Sequence, residues 1–192
     1  MDENKGINLP PTYLGIQEKT RVSGFSMASD ILTGSLLRTL AASKPASNFL
    51  ELGTGTGLST SWMLDGMDQK STLTSIDNDD AFLSIAREYL GSDSRLVLVN
   101  SDGEDWVMSH LSHRYDFIFA DTWHGKYLLL DEVLNMLNPG GIYVIDDMIE
   151  QANWPVGHSE KAAKLIQELE NRKYLNVTKL VWSTGLMIAV KN

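Results

Sequence analysis

Short apolar runs alternate with longer amphipathic stretches through most of the chain. NFLEL (48–52), STLTSID (71–77), RLVLVN (95–100), YDFIFAD (115–121) and GIYVIDD (141–147) have the length and composition of buried strands. Between them, helix patterns fit near 58–68, 79–90, 103–112 and 126–137, and the sequence NPGG at 138–141 stops the last. Repeated strand–helix units predict a parallel sheet with helices on both faces. The ending departs from this rhythm. After a helix pattern at about 159–172, NVTKLVW and GLMIAVK are separated only by Ser183 and Thr184. That spacing suits a hairpin and excludes a crossover helix, so one of these two strands runs antiparallel. Upstream, Ala28 to Ala42 reads as an amphipathic helix with Ile31, Leu32, Ser35, Leu36 and Thr39 on one face.

The expected fold is α/β and doubly wound: a Rossmann-like, mostly parallel seven-stranded sheet with an antiparallel C-terminal strand and helices on both faces. No repeat, low-complexity tract or linker interrupts the 192 residues. They are read as a single domain, 1–27 forming an N-terminal cap segment and 28–192 the core.

Charge and composition narrow the partners. Asp and Glu outnumber Lys and Arg by 25 to 16, a formal net charge of -9, and no basic cluster stands out. Nucleic acid is therefore not an expected partner. The absence of cysteine fits a reducing compartment, and no run is long and apolar enough to span a bilayer, so a cytoplasmic protein without membrane association is expected. The acidic, polar start MDENKGINLPP lacks the blocks of a signal peptide.

Chemistry concentrates at the strand ends. Directly after the first strand, GTGTG places Gly53, Gly55 and Gly57 where an open parallel sheet binds ligands, and glycines there let backbone amides approach closely. A dinucleotide fingerprint would need a glycine at Leu58. Glu51, two residues before the loop, would repel a pyrophosphate and attract an ammonium or sulfonium. Asp77 ends the second strand, 20 residues past Gly57, where an acid can bind both hydroxyls of a ribose. Each feature also has a plain structural reading, as a turn or as the cap of the following helix.

LELGTGTG and LTSIDND resemble the glycine and acidic motifs of the class I S-adenosylmethionine-dependent methyltransferases. The resemblance implies cofactor contacts from Glu51, Gly53, Thr54, Gly55, Gly57, Ser59, Asp77 and Asn78. It also places Asp102 and Gly103 of NSDGEDW at the adenine, with Trp106 either nearby or in the core. YDFIFADTWHGKY, GGIYVIDDM and GFSMASDILTGSLLRTLAA are similar to the metal-dependent O-methyltransferases of catechols and caffeoyl-CoA. In that family acids matching Asp121, Asp146 and Asp147 hold a divalent metal (Mg, Ca or Mn), Asp121 also lying by the cofactor, and a tyrosine matches Tyr127. The chain departs from the family's Asp-Ala-Asp-Lys by reading Asp121, Thr122, Trp123, His124, without the expected second aspartate and lysine.

The expected activity is S-adenosylmethionine-dependent methyl transfer to a small-molecule acceptor, through a hydroxyl oxygen, with metal assistance. Asp121, His124 and His158 are the candidate catalytic residues, His124 standing in the lysine position and His158 second as base. QANWPVGH reads as a substrate-side loop with Trp154 as an aromatic wall. A non-catalytic S-adenosylmethionine-binding module and a nicotinamide-dependent oxidoreductase are the alternatives. Family members are often dimers, which makes a homodimer one expectation for assembly.

Overall fold

In the computed structural model, residues 5–151 and 154–192 are described; residues 1–4 of the cap segment and 152–153 of the substrate-side loop lie outside the described residues. The seven apolar runs become β1 (Asn48–Leu52), β2 (Thr72–Asp77), β3 (Leu96–Asn100), β4 (Tyr115–Ala120), β5 (Leu137–Ile145), β6 (Leu175–Leu180) and β7 (Leu186–Lys191). They form one sheet in the order β3-β2-β1-β4-β5-β7-β6. Strands β1 to β5 pair in parallel, while β7 is antiparallel to both β5 and β6. Strand β7 alone is reversed, as the two-residue spacing requires.

Helices α1 (Tyr13–Ser23), α2 (Ile31–Ala42), α3 (Leu58–Gly66), α4 (Asp80–Leu90), α5 (Gly103–Ser109), α6 (Leu130–Met136) and α7 (His158–Glu170) complete the order. Successive strand residues point to opposite faces, which divides the core in two. Phe49, Phe117, Phe119 and Val144 join residues of α1 to α4, including Ile16, Leu37 and Trp62. Leu50, Ile118, Ala120 and Ile145 join residues of α5 to α7, including Val107, Val133 and Leu165. Helix α2 lies close to α3 because Gly34 carries no side chain: a Cβ there would meet Trp62 at 2.3 Å.

Four elements differ from the expectations. Helix α2 buries Thr33, Gly34, Leu37 and Ala41 instead of the face through Ile31, Leu32, Ser35, Leu36 and Thr39, and β5 begins at Leu137, so NPGG lies within the strand. Helix α1 falls inside the segment read as a cap; its buried residues Tyr13, Ile16 and Thr20 follow helical spacing, diluted by a polar remainder. Helix α6 begins at Leu130 instead of near 126. The amides of Lys126, Tyr127 and Leu128 all donate to the Trp123 carbonyl, and Leu129 adopts φ 55°, so a compact turn precedes the helix. The Tyr143 hydroxyl donates to the Gly125 carbonyl and anchors this turn from β5.

The chain runs outward from β1 to β3 and then returns to β4 beside β1. The C-terminal ends of β1 and β4 therefore flank the switch point of the sheet, where open α/β folds hold ligands.

Candidate functional site

The glycine loop is tied down from the second strand. The amides of Gly53 and Thr54 donate to the Ile76 carbonyl at 2.9 and 3.1 Å, and the Gly55 amide donates to Asp77 Oδ2 at 2.7 Å. Gly53, Gly55 and Gly57 have φ of 102°, 50° and 94°, a region that disfavours side chains. Phe25, from the segment before α2, lies over Gly55, where a Cβ would meet its ring at 2.8 Å. Phe25 also packs on Phe82 at 4.7 Å between ring centroids.

Beside this loop a cavity of ≈ 660 Å³ runs along the C-terminal edge of the sheet, within the usual range for small-molecule sites. It is lined by Gly53, Thr54, Gly55, Ser59, Asp77 and Asn78 at one end and by Asp121, Asp146, Asp147 and His158 at the other. Ten of the sequence-predicted residues thus share one cavity. A recess of ≈ 60 Å³ adjoins it, lined by Gly53, Asp77, Asn78, Ser101, Gly103 and His124 among others.

Three expected cofactor residues lie elsewhere. Gly57 packs beneath the loop, where a Cβ would meet Ala86 at 2.9 Å. The Asp102 side chain caps α5, accepting from the amides of Glu104 and Asp105 at 2.8 and 3.4 Å. Glu51 is fully buried and does not line the cavity. Ser59 donates to its Oε1 at 2.6 Å, and Thr60 and Ser75 donate to Oε2 at 2.6 and 2.5 Å. It clamps β1, β2 and the start of α3 together instead of facing a ligand.

Burial pushes the Glu51 carboxyl up to about 7, against the pull of its three hydroxyl partners. In the unfolded chain the same carboxyl ionises near 4.5. Between these values the unfolded state has lost a proton that the folded state keeps, so stability falls as pH rises through the window and levels off above it. The loss from this one group amounts to about 3 kcal/mol. Glu51→Gln is expected to remove it: urea denaturation at about pH 5 and about pH 8 should show a smaller drop for the variant than for wild type. Equal drops would overturn the assignment.

The acidic end contains a lysine. Lys126 is 5% exposed, and its Nζ lies 3.4 Å from Asp121 Oδ1. The Ser29 hydroxyl donates to Asp121 Oδ2 at 3.2 Å. Asp146 Oδ1 accepts from the Thr184 hydroxyl and, at 2.7 Å, from the Asp147 amide. Burial raises the carboxyls of both Asp121 and Asp146, and the Lys126 ammonium acts against that rise at each. The expectation of a metal meets this arrangement directly. Among the described residues no group of three or more histidine or acidic side chains is arranged to hold a metal ion. A buried ammonium and protein hydroxyls already partner the two buried carboxylates. The residues present do not fit a divalent cation.

Lys126 is the residue that reading by position missed. Matching the family lysine place for place pointed to His124, but Gly125 at φ 85° turns the chain so that Lys126 enters the cavity. His124 instead borders the small recess, where a Cβ on Gly103 would meet its Nδ1 at 2.4 Å. It does not line the main cavity, which Lys126 and His158 do.

An aromatic wall faces the acids. Trp154 and His158 lie 4.4 Å apart by ring centroid, Tyr127 and His158 5.2 Å, and Trp123 and Tyr127 5.7 Å. The Tyr127 hydroxyl and His158 Nε2 are 3.3 Å apart. Desolvation, then the Lys126 and Lys161 charges, depress the His158 pKa, so the imidazole is neutral at pH 7. Trp106 belongs to the core on the α5 to α7 face.

Known proteins share this plan. A provisionally named O-methyltransferase of Mycobacterium avium (strain 104) is 29% identical over 119 residues, 58% of this chain and 53% of its own. The tapetum-specific methyltransferase 1 of Arabidopsis thaliana is 28% identical over 126 residues, 59% of this chain and 54% of its own. The chain spans about half the length of the curated relatives it matches. The crystal structure of an O-methyltransferase from Bacillus cereus in complex with SAH superposes with a TM-score of 0.85 at 17% identity, covering 99% of this chain and 94% of that one. That likeness is one of fold. A family model described as a methyltransferase domain matches residues 50–148, just over half of the sequence, and the chain belongs to that methyltransferase-domain family.

Proposed function

We propose that the protein transfers the methyl group of S-adenosylmethionine to a hydroxyl oxygen of a small aromatic molecule. The observation that carries this reading is one continuous cavity with two chemically different ends. The glycine loop, Asp77 and Asn78 form a cofactor end, and Lys126, the three carboxylates and the aromatic wall form an acceptor end. Family membership supports the methyl-transfer chemistry, and the relatives' printed names support oxygen as the acceptor atom. Leu58 in place of a third glycine tells against a nicotinamide cofactor.

In this reading the Asp77 carboxylate accepts from the ribose hydroxyls, and the loop amides lie along the cofactor. Trp123, Tyr127 and Trp154 stack against the acceptor ring. The acceptor oxygen forms its bond to the methyl carbon as the carbon–sulfur bond breaks, its electron pair returning to sulfur. The hydroxyl proton passes to the neutral His158 imidazole, which Tyr127 positions. Asp121 and Asp146 hold the oxygen's neighbours in place and do not touch the methyl group.

We further read the chain as one domain with 1–27 as its cap, working in the cytoplasm on a small molecule, without nucleic acid and with a homodimer as its assembly. Among the described residues no helix is long and apolar enough to cross a membrane.

Isothermal titration of S-adenosylhomocysteine into the purified protein tests the cofactor end. A single site with a Kd on the order of micromolar is expected, with no heat from NAD. Release of S-adenosylhomocysteine on adding phenolic acceptors then tests the acceptor end. A protein that binds NAD and not S-adenosylhomocysteine would overturn the reading.

A further inference from the structure

We infer that the Lys126 ammonium occupies the place of a divalent cation, so that this site holds and orients its acceptor without a metal. The inference rests on the methyl-transfer reading only for what the ammonium does, not for where it is.

Three carboxylates at neighbouring strand ends need a positive partner or a proton. A 5% exposed lysine whose Nζ lies 3.4 Å from Asp121 supplies that charge from within the chain. Lys126 belongs to the turn whose amides close on the Trp123 carbonyl, and the Tyr143 hydroxyl anchors that turn at the Gly125 carbonyl. The position is therefore built into the fold and not reached by a free surface side chain. The buried carboxylates are also already engaged: Asp121 by Ser29, and Asp146 by Thr184 and the Asp147 amide. A hard dication takes six to eight oxygens, or an octahedron with several waters. Here it would have to displace a buried ammonium and compete with it for the same oxygens.

The ammonium can carry out one task usually given to a metal and cannot carry out another. It can donate to the acceptor oxygen, holding it and stabilising negative charge as the proton leaves. It has no open coordination sites, so it does not chelate two adjacent oxygens as a metal does. The site should accept an acceptor with a single hydroxyl, where a metal site gains from a vicinal pair.

The test is manganese binding to the protein loaded with S-adenosylhomocysteine, followed by the electron paramagnetic resonance signal of free Mn²⁺. Wild type should leave the free-ion signal unchanged. Lys126→Met, which keeps the stem and removes the charge, should take up one equivalent of Mn²⁺ with affinity raised at least tenfold or so by losing the competing charge. Asp146→Asn in the same background should abolish that uptake. Lys126→Gln provides a second neutral variant should the methionine protein not fold. Wild type that binds one Mn²⁺, lost on Asp146→Asn, would overturn the inference, as would folded neutral variants that bind none. S-adenosylhomocysteine affinity is measured in the same samples. Its absence would sink the cofactor reading and leave the manganese result to judge Lys126 separately.

Discussion

Asp77→Ala is expected to weaken S-adenosylhomocysteine binding by a factor of about 100 or more while leaving the protein folded. Two effects act together. A carboxylate that accepts from two ribose hydroxyls makes charge-assisted hydrogen bonds worth about 1.5–3 kcal/mol each, so losing both costs at least a hundredfold. The same carboxylate also shapes the loop: Oδ2 accepts the Gly55 amide at 2.7 Å and Oδ1 accepts the Asp79 amide at 3.0 Å. Without it, binding must order the loop as well as fill it. Asp77→Asn separates the two effects. Its amide oxygen can still hold Gly55, but it offers one acceptor in place of two, and a loss of roughly tenfold is expected. Calorimetry of both variants, with thermal melts to show that each is folded, provides the comparison. Affinity for Asp77→Ala within a factor of about three of wild type would remove Asp77 from the cofactor site.

The parts of this molecule that could be read from the chain are those set by local periodicity. Strand positions, the reversed β7 and the glycine loop depend on residues within a few places of one another, and apart from β5, which begins at Leu137, the structure has them close to where the pattern put them. What could not be read depends on where a turn sends a side chain. His124 and Lys126 differ by two positions, and Gly125 with three amides converging on Trp123 decides which enters the cavity. Glu51 shows the same limit. Its position before the loop suggested an outward carboxylate, whereas three hydroxyls from α3 and β2 take it up inside. Ser59, Thr60 and Ser75 belong to the hydroxyl-rich stretches LSTS and TLTS, whose buried donors need acceptors. Asp102 had two available roles, and capping a short helix satisfies two amides that otherwise have no partner. Phe25 lies in the quoted stretch GFSMASDILTGSLLRTLAA, but its role over Gly55 arises from a contact thirty residues along the chain, which no local pattern shows.

Gly53→Ala is expected to destabilise the protein by about 3–5 kcal/mol and to abolish cofactor binding. Gly53 has φ 102°, and its conformation alone costs any other residue about 1–3 kcal/mol. A Cβ would also lie 2.7 Å from the Asp121 carbonyl oxygen and 3.1 Å from its carbonyl carbon. Both are backbone atoms, so no side chain can swing aside. Relief requires β1 and β4 to part at their C-terminal ends, where the cavity begins. Gly140→Ala supplies the control: its φ is 75°, but no atom lies within 4 Å of the added methyl group. The difference between the two variants isolates the steric part, and for a chain of this length it should appear as roughly 5–10 °C in Tm, with Gly53→Ala the lower. Because Asp121 would move with the strand, loss of binding should accompany loss of stability in Gly53→Ala and be absent in Gly140→Ala. Matching melting temperatures for the two variants would show that the strand ends yield freely, and the tight approach of Gly53 to Asp121 would then have no part in holding the cavity's shape.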